Sequence, residues 1–208
     1  AEEMAASGQL RAGLDRLAAL IAAVPRDPVP RIARARLLVI KRPRTAADDL
    51  EAALALSPDP ATRRDATILY GAAAARAGRA AAGVGRLTVL ATALKHDLDV
   101  TIALAEAQAA AGDVAASFAT LAHALAGRDP RRPGSADLLI AWAQLSLRRG
   151  DRAAAIAHAQ RAHAGDANHL GALVFLVEIA LEDGRADDAA SLLARAQLLG
   201  PRDPRVLY

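Results

Sequence analysis

The chain is 208 residues long, with 53% apolar and only 2% aromatic residues. Alanine fills 57 positions, about half of the apolar total, which excludes a disordered polymer and a disulfide-stapled mini-protein. Alanine is the best helix former and a poor strand former, so an all-β fold is excluded as well. The 26 basic and 23 acidic residues nearly balance at +3. Arginine supplies 24 of the cations and so the pI of about 9.9; such a balance argues against nucleic acid as the main partner. Without cysteine there is no disulfide, thiolate metal site or thiol nucleophile, and the compartment stays open between bacterial periplasm and cytoplasm. The longest uncharged stretch, Val114 to Gly127, has fourteen residues, short of the roughly 20 a membrane-spanning helix needs.

In chain order, residues 1–7 read as the tail of a helix that turns at Gly8 into a second helix over 9–24. The breaker Pro25-Arg26-Asp27-Pro28 then opens a helix over 29–41, a turn near Lys41–Arg42–Pro43 and a helix over 45–56. Ser57-Pro58-Asp59-Pro60 precedes helices over 63–77 and 79–94 around Gly78. Helices over 98–111 and 114–126 flank Gly112, and those over 136–149 and 151–164 flank Gly150 beyond Arg128-Asp129-Pro130. Helices over 169–183 and 186–199 flank Gly184, and Pro201-Arg202-Asp203-Pro204 repeats the first breaker.

The glycines at 8, 78, 112, 150 and 184 set a register with a period near 34. Five residues after them stand Gly13, Gly83, Ser117, Ala155 and Ala189, all small; eight before the last four stand Tyr70, Leu104, Trp142 and Leu176, all bulky. Small residues facing bulky ones at fixed register let two helices pack closely. This 34-residue helix–turn–helix repeat resembles the tetratricopeptide repeat family over nearly the whole chain. The resemblance implies an all-α fold, a right-handed α-solenoid of antiparallel helix pairs. The expected units are 1–27 (partial), 28–60, 61–97, 98–132, 133–168 and 169–203, with 204–208 opening a further repeat. The ends are read as those of a piece of a longer array, whose exposed ends can stack and self-associate.

In the resembled family the first helix of each pair lines a concave groove. Ten residues before the glycines, Ile68, Ile102, Ile140 and Val174 form an aliphatic ladder, to which Phe175 adds an anchor. Asp65, Asp99 and Asp137 stand thirteen before, and Ala72, Glu106, Gln144 and Glu178 six before. Steps of three and four place these on one helix face. The expected ligand is an apolar or amphipathic peptide with basic flanks. A second account has the ladder packing repeat on repeat and the aspartates capping helix N-termini.

Residues 26–44 hold seven cations against Asp27 alone. Arg31, Arg34, Lys41 and Arg42 share a helical stripe, which reads as an anion patch for a phosphate backbone, acidic peptide or lipid surface, or as a solvated face. The histidines at 96, 123, 158, 163 and 169 complete no metal or nucleophile–base set, so no catalytic residue, metal or cofactor is expected. The reading is a non-catalytic scaffold that binds a protein or peptide, with bacterial envelope assembly as the family-level analogy. A recruiting segment of a larger enzyme, or an anion or nucleic-acid binder using residues 26–44, are the alternatives.

Overall fold

The computed structural model describes residues 2–200 and 203, with side chains from Gln9 onward. Among the described residues there are eleven α-helices and no strand. They are α1 Glu2–Ala23, α2 Val29–Leu38, α3 Pro43–Ala55, α4 Pro60–Arg76, α5 Ala80–Ala93 and α6 Leu98–Ala110, then α7 Val114–Leu125, α8 Ser135–Arg148, α9 Arg152–Gly165, α10 Leu170–Glu182 and α11 Ala186–Leu199. Beyond α1, the helices α2–α3, α4–α5, α8–α9 and α10–α11 pack as the repeat predicts, as hairpins of an all-α solenoid. The helices fall into two compact units, residues 1–117 and 118–208.

One turn recurs. After α4, Gly78 takes φ +78° and the Arg79 N–H reaches back 2.7 Å to the Ala74 carbonyl. The same bond joins Asp113 to Gln108 around Gly112, Asp151 to Ser146 around Gly150 and Arg185 to Ala180 around Gly184. It satisfies helix carbonyls that would otherwise be orphaned, and it requires a left-handed residue, which is why glycine recurs there. The residue after the glycine then opens the next helix. Asp113 and Asp151 accept from the Ala116 and Ala154 N–H groups at 2.9 and 3.0 Å.

Four boundaries depart from expectation by more than one residue, among them the start of α3, at Pro43 and not 45. Helix α1 runs straight through Gly8, where the sequence pattern placed a turn; a helix-interior glycine costs only about 1 kcal/mol, and helix formers flank it on both sides. Helix α2 stops at Leu38, short of 41, because Arg42 precedes proline and takes an extended φ of −139°. Helix α4 starts at Pro60, not 63, because proline fits the first helical position and Asp59 caps it, accepting from Ala61 and Thr62 N–H.

In the first unit Tyr70 is the largest fully buried side chain, set among Ala35, Ala46, Leu50, Ala66 and Ala74 from α2, α3 and α4. Alanine predominates there because helices this close leave no room for more. Helices α4 and α5 come nearest at two glycines: a Cβ on Gly83 would lie 3.3 Å from the Gly71 Cα, and one on Gly71 would lie 2.5 Å from Leu87 Cδ1. In the second unit Leu139, Phe175 and Ile179 pack on Ala143, Ala155, Ala159 and Ala162, and Leu173, Val174 and Ala196 join α10 to α11.

Ser57, at φ +53°, is the one non-glycine with positive φ among the described residues and ends α3 where a glycine would serve. A left-handed conformation costs a residue with a Cβ about 1–2 kcal/mol. Gly150→Ala should therefore lower, and Ser57→Gly raise, unfolding free energy by about 1 kcal/mol each in denaturant titrations. Nothing lies within 4 Å of a Cβ at Gly150, so the loss would come from backbone conformation alone.

Candidate functional site

Within the first unit an open groove of about 460 Å³ runs along α2, α4 and α6. Its apolar floor is Ile68, Leu69, Ala72, Ile102 and Ala103, and its rim is Arg36, Arg64, Asp65, Asp99 and Glu106. The structure thus brings together Ile68, Ile102, Asp65, Asp99, Ala72 and Glu106, the first-unit members of the inward positions read from the sequence. Ile68 is partly drawn into the core, packing against Leu87, Leu104 and Ala107. Ile102 lies outside that cluster, half-buried on the groove floor.

Arg64 organises the rim. Its Nε and Nη2 donate to the Asp97 carboxylate at 2.5 and 2.7 Å, Nη2 also to Asp99 at 2.6 Å, and Nη1 to Asp65 at 2.9 Å. These charge-assisted bonds tie α4 to the start of α6. They raise the guanidinium pKa above its ordinary value, Asp97 contributing most. Asp97 is also the N-cap of α6, accepting from Val100 N–H at 3.2 Å, and the Arg64 bonds hold its carboxyl below the usual carboxylate range. Asp65 and Asp99 are therefore not helix caps: Asp59 and Asp97 cap these helices, Asp65 lies more than a turn inside α4, and Asp99 sits in the first turn of α6.

The second unit caps α10 at the position equivalent to Asp97, and the cap's partner stands where Asp65 does in α4, one residue on from the Arg64 position. His169 caps α10, its Nδ1 accepting from Ala172 N–H at 3.1 Å and its Nε2 2.9 Å from Asp137 on α8. An Nδ1 that accepts leaves the ring proton on Nε2, which donates to Asp137. Asp137 is likewise no cap, because Gly134 starts α8. The ladder does not stay open here. Ile140 and Phe175 belong to the α8–α9–α10 core and Val174 to the α10–α11 core. Helix α10 is apolar on nearly every face, and the tight approach at Gly171 is to the capping ring, His169 Cε1 lying 3.1 Å from where a Cβ would stand. Phe175, 5% exposed, is a core residue and not a groove anchor. Gln144 and Glu178 are exposed.

The tetratricopeptide repeat family model matches residues 146–208. That match takes in α9, α10 and α11. A tetratricopeptide repeat protein of Parabacteroides merdae ATCC 43184 superposes with a TM-score of 0.69 at 15% identity, covering 96% of this chain and 76% of that one. PilW, a type IV pilus biogenesis factor, gives 0.58 at 17% identity, covering 99% and 92%. A thermophilic tetratricopeptide repeat protein of Thermus thermophilus gives 0.57 at 21% identity, covering 86% and 94%. No curated protein matches the sequence.

The basic stretch of residues 26–44 is not a helical stripe. Arg34 is taken up by Asp49, with Nε and Nη2 at 2.7 and 2.5 Å from a carboxylate only 5% exposed. Lys41 and Arg42 lie on the α2–α3 turn, beyond the helix that was to align them with Arg31. Among the described residues no three His, Asp or Glu are grouped to hold a metal, and no helix is long and apolar enough to cross a membrane.

Two features escaped the sequence. Arg64 carries no repeat signature, although Asp97 stands one repeat, 33 residues, beyond it. Trp142 stacks on His158 with centroids 4.8 Å apart, and Phe118 lies 5.6 Å from Trp142. Burial pushes the His158 pKa below its ordinary 6.5, with Arg161 lowering it further and Asp151 opposing.

Asp97→Ala removes a cap together with the main Arg64 partner and should cost about 2 kcal/mol, more than Asp59→Ala, which removes a cap alone. The Asp97 contribution is present above the usual carboxylate range and is lost as pH falls through its lowered folded pKa. His158, also shifted down, contributes stability that is full above pH 6.5 and lost as pH falls through the folded value. His158→Gln should flatten the decline in melting temperature between about pH 7.5 and 5.

Proposed function

We propose that this chain is a tetratricopeptide repeat protein and a non-catalytic scaffold that holds an extended or helical segment of a partner protein in the α2–α4–α6 groove. The observation that carries the reading is the juxtaposition of an aliphatic floor, Ile68, Leu69 and Ile102, with the carboxylates of Asp65, Asp99 and Glu106. Such a surface takes aliphatic anchors by burial and flanking lysine or arginine by charge, while acidic segments are repelled. Arg36 and Arg64 moderate the field, but Arg64 already faces three carboxylates. Place in an envelope assembly is the wider context we favour; it is supported by the fold shared with PilW and with the Pseudomonas aeruginosa pilF product, TM-score 0.51 at 15% identity.

A displayed peptide library should enrich aliphatic residues flanked by lysine or arginine. Ile102→Asp should weaken the selected peptides more than tenfold, because it places a charge on the floor, while far-ultraviolet circular dichroism stays at wild type. Ile102 is the better probe, since Ile68 also supports the core. Glu106→Lys should reduce the preference for basic flanks. Enrichment of acidic peptides by the wild type, or unaltered binding by Ile102→Asp, would overturn the reading.

A further inference from the structure

The α2–α3 turn departs from the other hairpins. Where α4–α5, α6–α7, α8–α9 and α10–α11 turn on a glycine, this one runs Val39-Ile40-Lys41-Arg42. Ile40 is 76% exposed at its tip, and Leu37, one helical turn earlier, is 45% exposed. Neither is needed for the turn, which the Arg42 N–H closes on the Leu38 carbonyl at 2.7 Å. Lys41, Arg42 and Arg44 follow them directly in the chain, all exposed. Residues 28–47 contain no carboxylate. The nearest acidic residues along α3 are engaged elsewhere, Asp48 with Arg79 at 2.7 Å and Asp49 with Arg34 at 2.5 Å. An exposed pair of large aliphatic side chains on a turn that carries uncompensated cations suits the boundary between anionic headgroups and acyl chains.

We propose that this hairpin tip is a contact site for an anionic lipid surface, with Ile40 and Leu37 entering the acyl boundary and Lys41, Arg42 and Arg44 meeting the headgroup phosphates. The aliphatic pair decides for lipid over nucleic acid: bases stack on aromatic rings, and none stands in residues 26–44. Each cation near an anionic surface contributes enough to change partitioning about fivefold, and a tip of this size gives weak, salt-sensitive, reversible attachment.

Sedimentation with phosphatidylcholine vesicles, with and without about 30% phosphatidylglycerol, tests it. The protein should bind only the anionic vesicles, less as salt is raised. Gln at Lys41, Arg42 or Arg44 should each weaken binding about fivefold, and Ile40→Ser on the order of tenfold, with circular dichroism unchanged because these side chains are exposed. The chain has no cysteine, so Ile40→Cys can carry a single environment-sensitive dye, whose emission should shift to the blue on anionic vesicles. Absence of binding to anionic vesicles at low salt would overturn the proposal, as would binding that ignores Ile40→Ser and leaves the dye unshifted. So would tighter binding to an oligonucleotide that Ile40→Ser leaves intact, which would make the tip a phosphate-polymer site instead.

Discussion

The left-handed glycine is the constraint on which the rest depends. At Gly78, Gly112, Gly150 and Gly184 one residue with φ between +71° and +90° closes a helix on its own carbonyls and delivers the chain, one residue later, to the start of the next. A connection this short leaves two helices no choice but to lie antiparallel and in contact. Everything nearby follows from that proximity. Side chains at the crossing must be small, hence Gly83, Ala155 and Ala189, and the bulky residues, Tyr70 above all, fill the space between successive pairs.

That logic explains what the sequence disclosed. Glycine and proline act through backbone geometry, which is local, so hairpins and breakers were legible to within a few residues. Gly8 misled because a helix with good formers on both sides absorbs a glycine. Prolines 43 and 60 each moved a helix start, since the ring suits a first turn as well as it breaks a later one. The inward register was legible for Ile68, Ile102, Asp65, Asp99 and Glu106. It failed at Ile140, Val174 and Phe175, because helical period gives direction without saying what packs against that direction. The exposure of a residue belongs to its neighbours, and the apolar helix α10 covers both of its sides.

The electrostatic arrangement was the least legible part. The cap position recurs, but its residue and its partner change: Arg64 faces the cap Asp97 in the first unit, and Asp137, one register position later than Arg64, faces the cap His169 in the second. A search for identical residues passes over such a pair, since both the residue types and the partner's register position change. Arg64 balances two demands, neutralising the carboxylates that would repel one another and fixing the α6 terminus. The acidity left over at the groove is the net result of that competition.

Four ion pairs between successive hairpins share a reach, whereas Arg34 to Asp49 spans 15 residues within one hairpin. Arg79 to Asp48, Arg86 to Glu51, Arg64 to Asp99 and Arg152 to Asp183 each span 31 to 35 residues. A chain wired only to its next neighbour has low contact order, so it forms quickly from any starting hairpin, with little entropy spent on closing long loops. The same wiring transmits little: a hairpin can open at one place and cost its neighbours a single interface, which makes graded fraying the natural motion of such a molecule.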